Sequence, residues 1–158
     1  MSPETLTKLL ARLGPDLEAL DEPWIIIGSS ALIILGLPLA DCQDLDILTT
    51  SAGAWQLEEV FAPWRVSGHL PDPSAPFRSR FSRYETAEGV WEVMGDLEVR
   101  TSTDWRPVVV AQAERRPFGS GAWPVPTAKE QERLLRLFGR PKDLAKARRL
   151  STWLSGLN

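Results

Sequence analysis

Two carboxylates two residues apart, Asp44 and Asp46, stand in a segment that alternates strictly, Asp44-Leu45-Asp46-Ile47-Leu48. The alternation predicts a strand over 44–48 with both aspartates on one face and Leu45 and Ile47 on the other. Side chains so placed offer hard oxygen ligands at the right separation for one or two Mg²⁺ ions. Two like charges side by side repel, a cost that a bound cation removes. Shortly upstream lies Gly28-Ser29-Ser30, between an apolar run at 24–27 and another at 31–35. Glycine at such a junction lets the backbone turn sharply and approach a ligand closely. Ser29 and Ser30 then fall at a helix N-terminus, where free N–H groups, hydroxyls and the helix dipole favour phosphate. A phosphate cradle and a metal seat are thus adjacent in sequence, the combination that clamps a triphosphate and activates an attacking oxygen.

Other reactive side chains carry less weight. Arg78, Arg80 and Arg83 lie on one expected strand, Arg78 and Arg80 on the same face. Meeting an anionic acceptor or a triphosphate is their functional reading, and a solvated edge strand protected by charge is the plainer one. His69, beside a proline-rich loop, reads as a surface residue. Cys42 lies next to Asp41 and near Asp44, an acidic setting that raises a thiol pKa and argues against reactivity. The seven tryptophans are scattered and read as core and edge packing.

Several elements must position the carboxylates. A helix is expected over 3–20, capped by Ser2, with Leu6, Leu9, Leu10, Leu13, Leu17 and Leu20 at helical spacing. A buried strand follows at 24–27 and a short helix at 31–35, stopped by Gly36 and Pro38. After the aspartate strand come a helix over 51–61, capped near Ser51, and strands over 78–85 and 90–94 joined at Ala87-Glu88-Gly89. Residues 97–101 continue or add a strand, and 107–110 suggest another extended piece. Thr127 caps a helix ending near Gly139, and Pro141 opens a last one running to about Leu154. The order predicts an α/β (α+β) fold, a small mixed sheet flanked by helices, in a single domain over 1–158 whose C-terminal helices occupy about 127–154.

Composition bounds the chemistry. With 158 residues, 43% hydrophobic and 25% charged, the chain is expected to be globular rather than disordered. Eighteen basic against twenty-one acidic residues leave a net charge of −3, so no global field draws it to nucleic acid or an anionic membrane. One cysteine and one histidine exclude a disulfide framework and zinc sites built on several of either. No signal peptide and no membrane-length apolar run is read, and the cytoplasm is the expected location.

Gly28-Ser29-Ser30, a short helix and Asp44-Leu45-Asp46-Ile47 together resemble the signature of the DNA polymerase β-type nucleotidyltransferase superfamily. The match is to its small bacterial branch, the minimal nucleotidyltransferases and the abortive-infection or toxin–antitoxin nucleotidyltransferase-like proteins. The resemblance covers roughly residues 24–150. It implies that the Gly-Ser turn (Gly28, Ser29, Ser30) binds a nucleoside triphosphate, and that Asp44 and Asp46 hold catalytic Mg²⁺ (or Mn²⁺). It also implies a third carboxylate from a later strand, for which Glu92 in Val90-Trp91-Glu92-Val93-Met94 is the candidate and Asp96 the reserve, since Gly95 interrupts the pattern. Lys129, opening the penultimate helix, is the implied further nucleotide-binding residue. Arg140-Pro141-Lys142-Asp143 resembles the branch's Arg-x-Lys-Asp segment, with a solvated helix face or a structural ion pair as the plainer reading of Lys142 and Asp143. The implied activity is Mg²⁺-dependent transfer of a nucleoside monophosphate to an acceptor hydroxyl, releasing pyrophosphate. The acceptor stays open between a small molecule, a protein and an RNA end. The alternative is a module that binds nucleotide or a partner protein without turnover, such as a toxin–antitoxin component.

Overall fold

A computed structural model describes residues 1–157. Helix α1 (Pro3–Glu18) starts where the sequence places it, with the Ser2 hydroxyl accepting from the Thr5 N–H at 3.1 Å and Leu6, Leu9, Leu10, Leu13 and Leu17 buried along one stripe. The chain then forms β1 (Trp24–Ile27), α2 (Gly28–Leu35), β2 (Leu45–Thr49) and α3 (Ser51–Val60), followed by β3 (Phe77–Thr86), β4 (Gly89–Arg100) and β5 (Trp105–Pro107). A hairpin of β6 (Ala113–Phe118) and β7 (Gly121–Pro126) leads into α4 (Ala128–Phe138) and α5 (Pro141–Gly156).

The main sheet is mixed, in the order β1-β2-β4-β3. Strand β1 is antiparallel to β2, β3 is antiparallel to β4, and β2 and β4 run parallel at the centre. Val99 of β4 faces Phe77 of β3 on one side and Arg106 of β5 on the other, so β5 occupies the edge away from β3. One face of the sheet, carrying Ile26, Leu45, Ile47, Tyr84, Trp91 and Val93, packs on the leucines of α1 and on Leu57 and Phe61 at α3. On the opposite face Ile27, Leu48, Leu97 and Val99 meet Leu134 of α4. Leu32 and Leu35 of α2 pack with Leu135 of α4 and Ala147 and Leu150 of α5, which anchors the C-terminal helices beside the second face.

Strand β4 does not end near Met94; it continues to Arg100 through a bulge. The register passes from Arg80↔Gly95 to Arg78↔Glu98, three steps on β4 for two on β3. Asp96 sits in the extra position at φ +50°. Trp91 and Val93 before the bulge pack in the α1/α3 core, whereas Leu97 and Val99 after it join the opposite face. The bulge after Gly95 thus turns the apolar residues of β4 from one face of the sheet to the other.

Other boundaries differ. Helix α2 begins at Gly28, three residues before the expected start, and α3 is capped by the Thr50 hydroxyl, which accepts from the Gly53 N–H at 3.0 Å. Of the extended piece expected at 107–110, only Pro107 belongs to a strand. The β6–β7 hairpin has no counterpart in the sequence reading. Pro117, Pro124 and Pro126 demote it as a strand pair, and Glu114-Arg115-Arg116 supplies no apolar alternation. Its stability comes from non-local packing, since Trp123 and Val125 insert into the α1 core. No helix among the described residues is long and apolar enough to cross a membrane.

Candidate metal and phosphate site

The parallel register of the two central strands assembles the carboxylates. Asp46 of β2 lies directly beside Glu92 of β4, and Asp44 precedes β2 by one residue. Each of the three offers an oxygen lying within 4.8 Å of the other two. Their apolar neighbours Leu45, Ile47, Trp91 and Val93 point through the sheet into the core, which fixes both strands against slipping. Burial, then repulsion from Asp44 and Glu92, pushes the Asp46 carboxyl well above the usual carboxylate range. Burial and the adjoining Asp44 push Glu92 up to about 7, against the opposing pull of Arg83. A donor set of three hard oxygens under mutual repulsion fits a divalent cation, whose charge would remove that repulsion.

Gly28 shapes the same spot. It adopts φ +74°, and a Cβ there would stand 2.6 Å from Asp46 Oδ2. Only glycine lets the turn between β1 and α2 approach the carboxylate so closely. Ser29, in the first turn of α2, lines the cleft beside it. Ser30 does not: it is fully buried and its hydroxyl donates to the Ile27 carbonyl at 3.1 Å.

The cleft has a volume of about 890 Å³ and lies between the second sheet face and the C-terminal helices. The helix side supplies cations. Lys142 and Lys146 of α5 line it, and Lys146 acts on Asp46 through charge. Burial holds the Lys146 ammonium below its ordinary pKa. Arg140 is committed to Asp143, donating to both carboxylate oxygens at 2.6 and 3.0 Å, so Asp143 is the structural ion pair. Lys129 is not among the cleft residues; it is exposed on α4. The reserve carboxylate Asp96 also lies elsewhere, accepting from the Ser51 N–H at 3.1 Å at the start of α3.

Three residues outside the expected ligand set stand here. Arg83 of β3 pairs across the strands with Glu92, its Nη1 3.2 Å from Glu92 Oε2 and 3.8 Å from Asp44 Oδ2. Its companions Arg80 and Arg78 do form surface ion pairs, with Glu58 and Glu98. His69 Nε2 stands 3.8 Å from the same Glu92 oxygen, with the imidazole against Phe81 at 5.7 Å between ring centroids. Lys146 follows Lys142 by four residues, the one sequence signal that could have placed it on the same helix face. Cys42 is buried, and its thiol is pushed up to about 11, first by burial and only secondarily by its acidic neighbours.

No protein-family model and no curated protein sequence matches this chain. Solved structures do. A Thermotoga maritima protein assigned to the nucleotidyltransferases is 22% identical with a TM-score of 0.74, over 99% of this chain and 96% of that one. The antibiotic-resistance factor ANT(2'')-Ia is 12% identical with a TM-score of 0.61, over 96% and 85%. The lincosamide antibiotic adenylyltransferase LnuA, solved with lincomycin bound, is 12% identical with a TM-score of 0.59, over 94% and 95%. The likeness spans nearly the whole chain: its fold is that of the nucleotidyltransferases.

Proposed function

We propose that the protein transfers a nucleoside monophosphate from a nucleoside triphosphate to a hydroxyl of a small-molecule acceptor. The observation that carries this reading is the convergence of Asp44, Asp46 and Glu92 against the Gly28-Ser29 turn, a cation seat touching a phosphate seat. The antibiotic acceptors of the similar adenylyltransferases support a small molecule as the acceptor class. A divalent cation, Mg²⁺ or Mn²⁺, held by Asp44, Asp46 and Glu92 would neutralise triphosphate charge and acidify the attacking hydroxyl.

The chain's own groups divide the remaining work. The α2 N-terminus and Ser29 receive the triphosphate from one side, and Lys142 and Lys146 from the other. Glu92, on the strand farther from the turn, takes the proton of the acceptor hydroxyl as its oxygen bonds to the α-phosphorus. The bond from that phosphorus to the α,β-bridging oxygen breaks, and pyrophosphate leaves. We assign the reaction to the cytoplasm.

The test incubates the protein with each labelled triphosphate, Mg²⁺ and a small-molecule extract. Label transfer that disappears in Asp46→Ala is the expected result. Tight triphosphate binding with no transfer to any acceptor would replace the enzyme with a non-catalytic binding module.

A further inference from the structure

The wall of the cleft at β3, across the sheet from the phosphate turn, carries Arg83 with His69 beside it. Arg83 and His69 both lean on Glu92, and Arg83 reaches Asp44 as well. These carboxylates belong to the proposed metal seat. When a dication occupies it, their charge is neutralised and the guanidinium and the metal repel each other at a separation of a few ångströms. Arg83 then needs another anion, because its side chain is only 27% exposed and water cannot fully solvate it.

Among the described residues, Asp41 also lines the cleft but forms no ion pair with Arg83, and the other nearby carboxylates are committed elsewhere. Asp72 is held within its own turn, accepting from the Ser74 N–H at 2.9 Å and the Ser74 hydroxyl at 2.7 Å. Glu98 is taken by Arg78 and Asp143 by Arg140. Arg80 points to Glu58 on the other face of the sheet and cannot substitute for Arg83. A polycationic acceptor would meet the Arg83 guanidinium as a like charge at this wall.

We infer that the acceptor is a small hydroxyl compound bearing an oxyanion, a phosphate or carboxylate group, which Arg83 binds once metal has displaced it from Glu92 and Asp44. This rests on the transferase reading and goes further by naming the acceptor's charge. Arg83 has a planar fork that fits either oxyanion through two parallel hydrogen bonds. Phe81, beside His69, gives the carbon skeleton of the acceptor an apolar surface.

Two binding measurements test it without turnover. In the first, Mn²⁺ is titrated calorimetrically into nucleotide-free protein. Arg83→Gln should bind Mn²⁺ several-fold more tightly than wild type, since a competing cation is gone. Equal or weaker binding would overturn the displacement. In the second, protein saturated with Mg²⁺ and a non-hydrolysable triphosphate analogue is titrated with inorganic phosphate and, separately, acetate at constant ionic strength. Wild type and Arg80→Gln should take up one equivalent of at least one anion, and the preferred anion tells phosphate from carboxylate. Arg83→Gln should bind it at least tenfold more weakly, with Arg83→Lys in between. Absence of anion binding by the loaded wild type, which needs no variant to fold, overturns the inference, as does equal binding by Arg83→Gln. Mn²⁺ binding that is unaffected by Asp46→Ala would instead bring down the transferase reading itself, and this inference with it.

Discussion

At Gly28 a single missing methyl group decides whether the site closes. Alanine there faces two separate penalties: the left-handed backbone, about 1–2 kcal/mol for a residue with a Cβ, and a Cβ placed 2.6 Å from Asp46 Oδ2. Gly139 separates the two effects. It has a similar φ of +70° at the end of α4, but a Cβ there would meet nothing nearer than 3.5 Å. Gly139→Ala should therefore lose about 1 kcal/mol of stability through the backbone alone and keep its Mn²⁺ affinity. Gly28→Ala should lose more stability and also weaken Mn²⁺ binding at least tenfold, because Asp46 must swing out of the cluster. Thermal unfolding with and without Mn²⁺ checks both. Gly28→Ala with wild-type Mn²⁺ affinity would mean that Asp46 does not need the position it occupies.

At the scale of elements, α4 shows how a buried polar residue can hide a helix face. Glu130 and Gln131 lie one turn before Leu134 and Leu135, and all four are buried. The Glu130 carboxylate accepts from the Ala111 and Gln112 N–H groups and from Arg133, clamping the strand-to-hairpin connection onto α4. The Arg133 hydrogen bond, helped by the two backbone N–H groups, holds its pKa below the ordinary 4.5 in spite of burial. A depressed carboxyl stabilises the fold above its unfolded-state pKa and loses that contribution as pH falls through the folded one. Glu130→Gln should cost about 1–3 kcal/mol at pH 7, and the gap from wild type should narrow below pH 4.5 in denaturant titrations. A constant gap from pH 7 to pH 3 would remove the charge from the explanation.

The same helix accounts for what the sequence could and could not reveal. Local signals were enough for α1, β1, the aspartate strand and both C-terminal helices, since each has its own cap or apolar period. Glu92 was legible because its neighbours Trp91 and Val93 are apolar and buried, which turns its carboxylate to the other face. Lys129 was misplaced because helix rotation is set by the packing of Leu134, Leu135, Ala147 and Leu150, a tertiary fact. Arg83 was only half legible: strand parity separates it from Arg78 and Arg80, but the β3–β4 register that puts it opposite Glu92 is a tertiary fact. The β6–β7 hairpin was unreadable because Trp123 and Val125 are held by α1, more than a hundred residues away in sequence.

For the whole molecule, a concentration of charge is the price of the site, and metal should repay it. Three carboxylates gather within 4.8 Å in a chain whose net charge is only −3, with Arg83 and Lys146 as partial counterweights. A cation that binds the native state alone stabilises it by about 2.7 kcal/mol at a hundredfold excess over its dissociation constant. For a chain of this size that raises the melting temperature by roughly 5–10 °C. Asp46→Asn removes one repelling charge and keeps the side-chain shape, so the metal-free variant should melt at or slightly above wild type. It should also lose the metal-dependent rise. Mg²⁺ and a triphosphate together should shift wild type more than the sum of each alone, because phosphate oxygens at Ser29 complete the cation's coordination. A melting curve unmoved by millimolar Mg²⁺ with each of the four triphosphates would leave the cluster without its ion. Severe destabilisation of metal-free Asp46→Asn would show that Asp46 is held in place for the fold, because a residue kept for charge alone is one the apo protein folds better without.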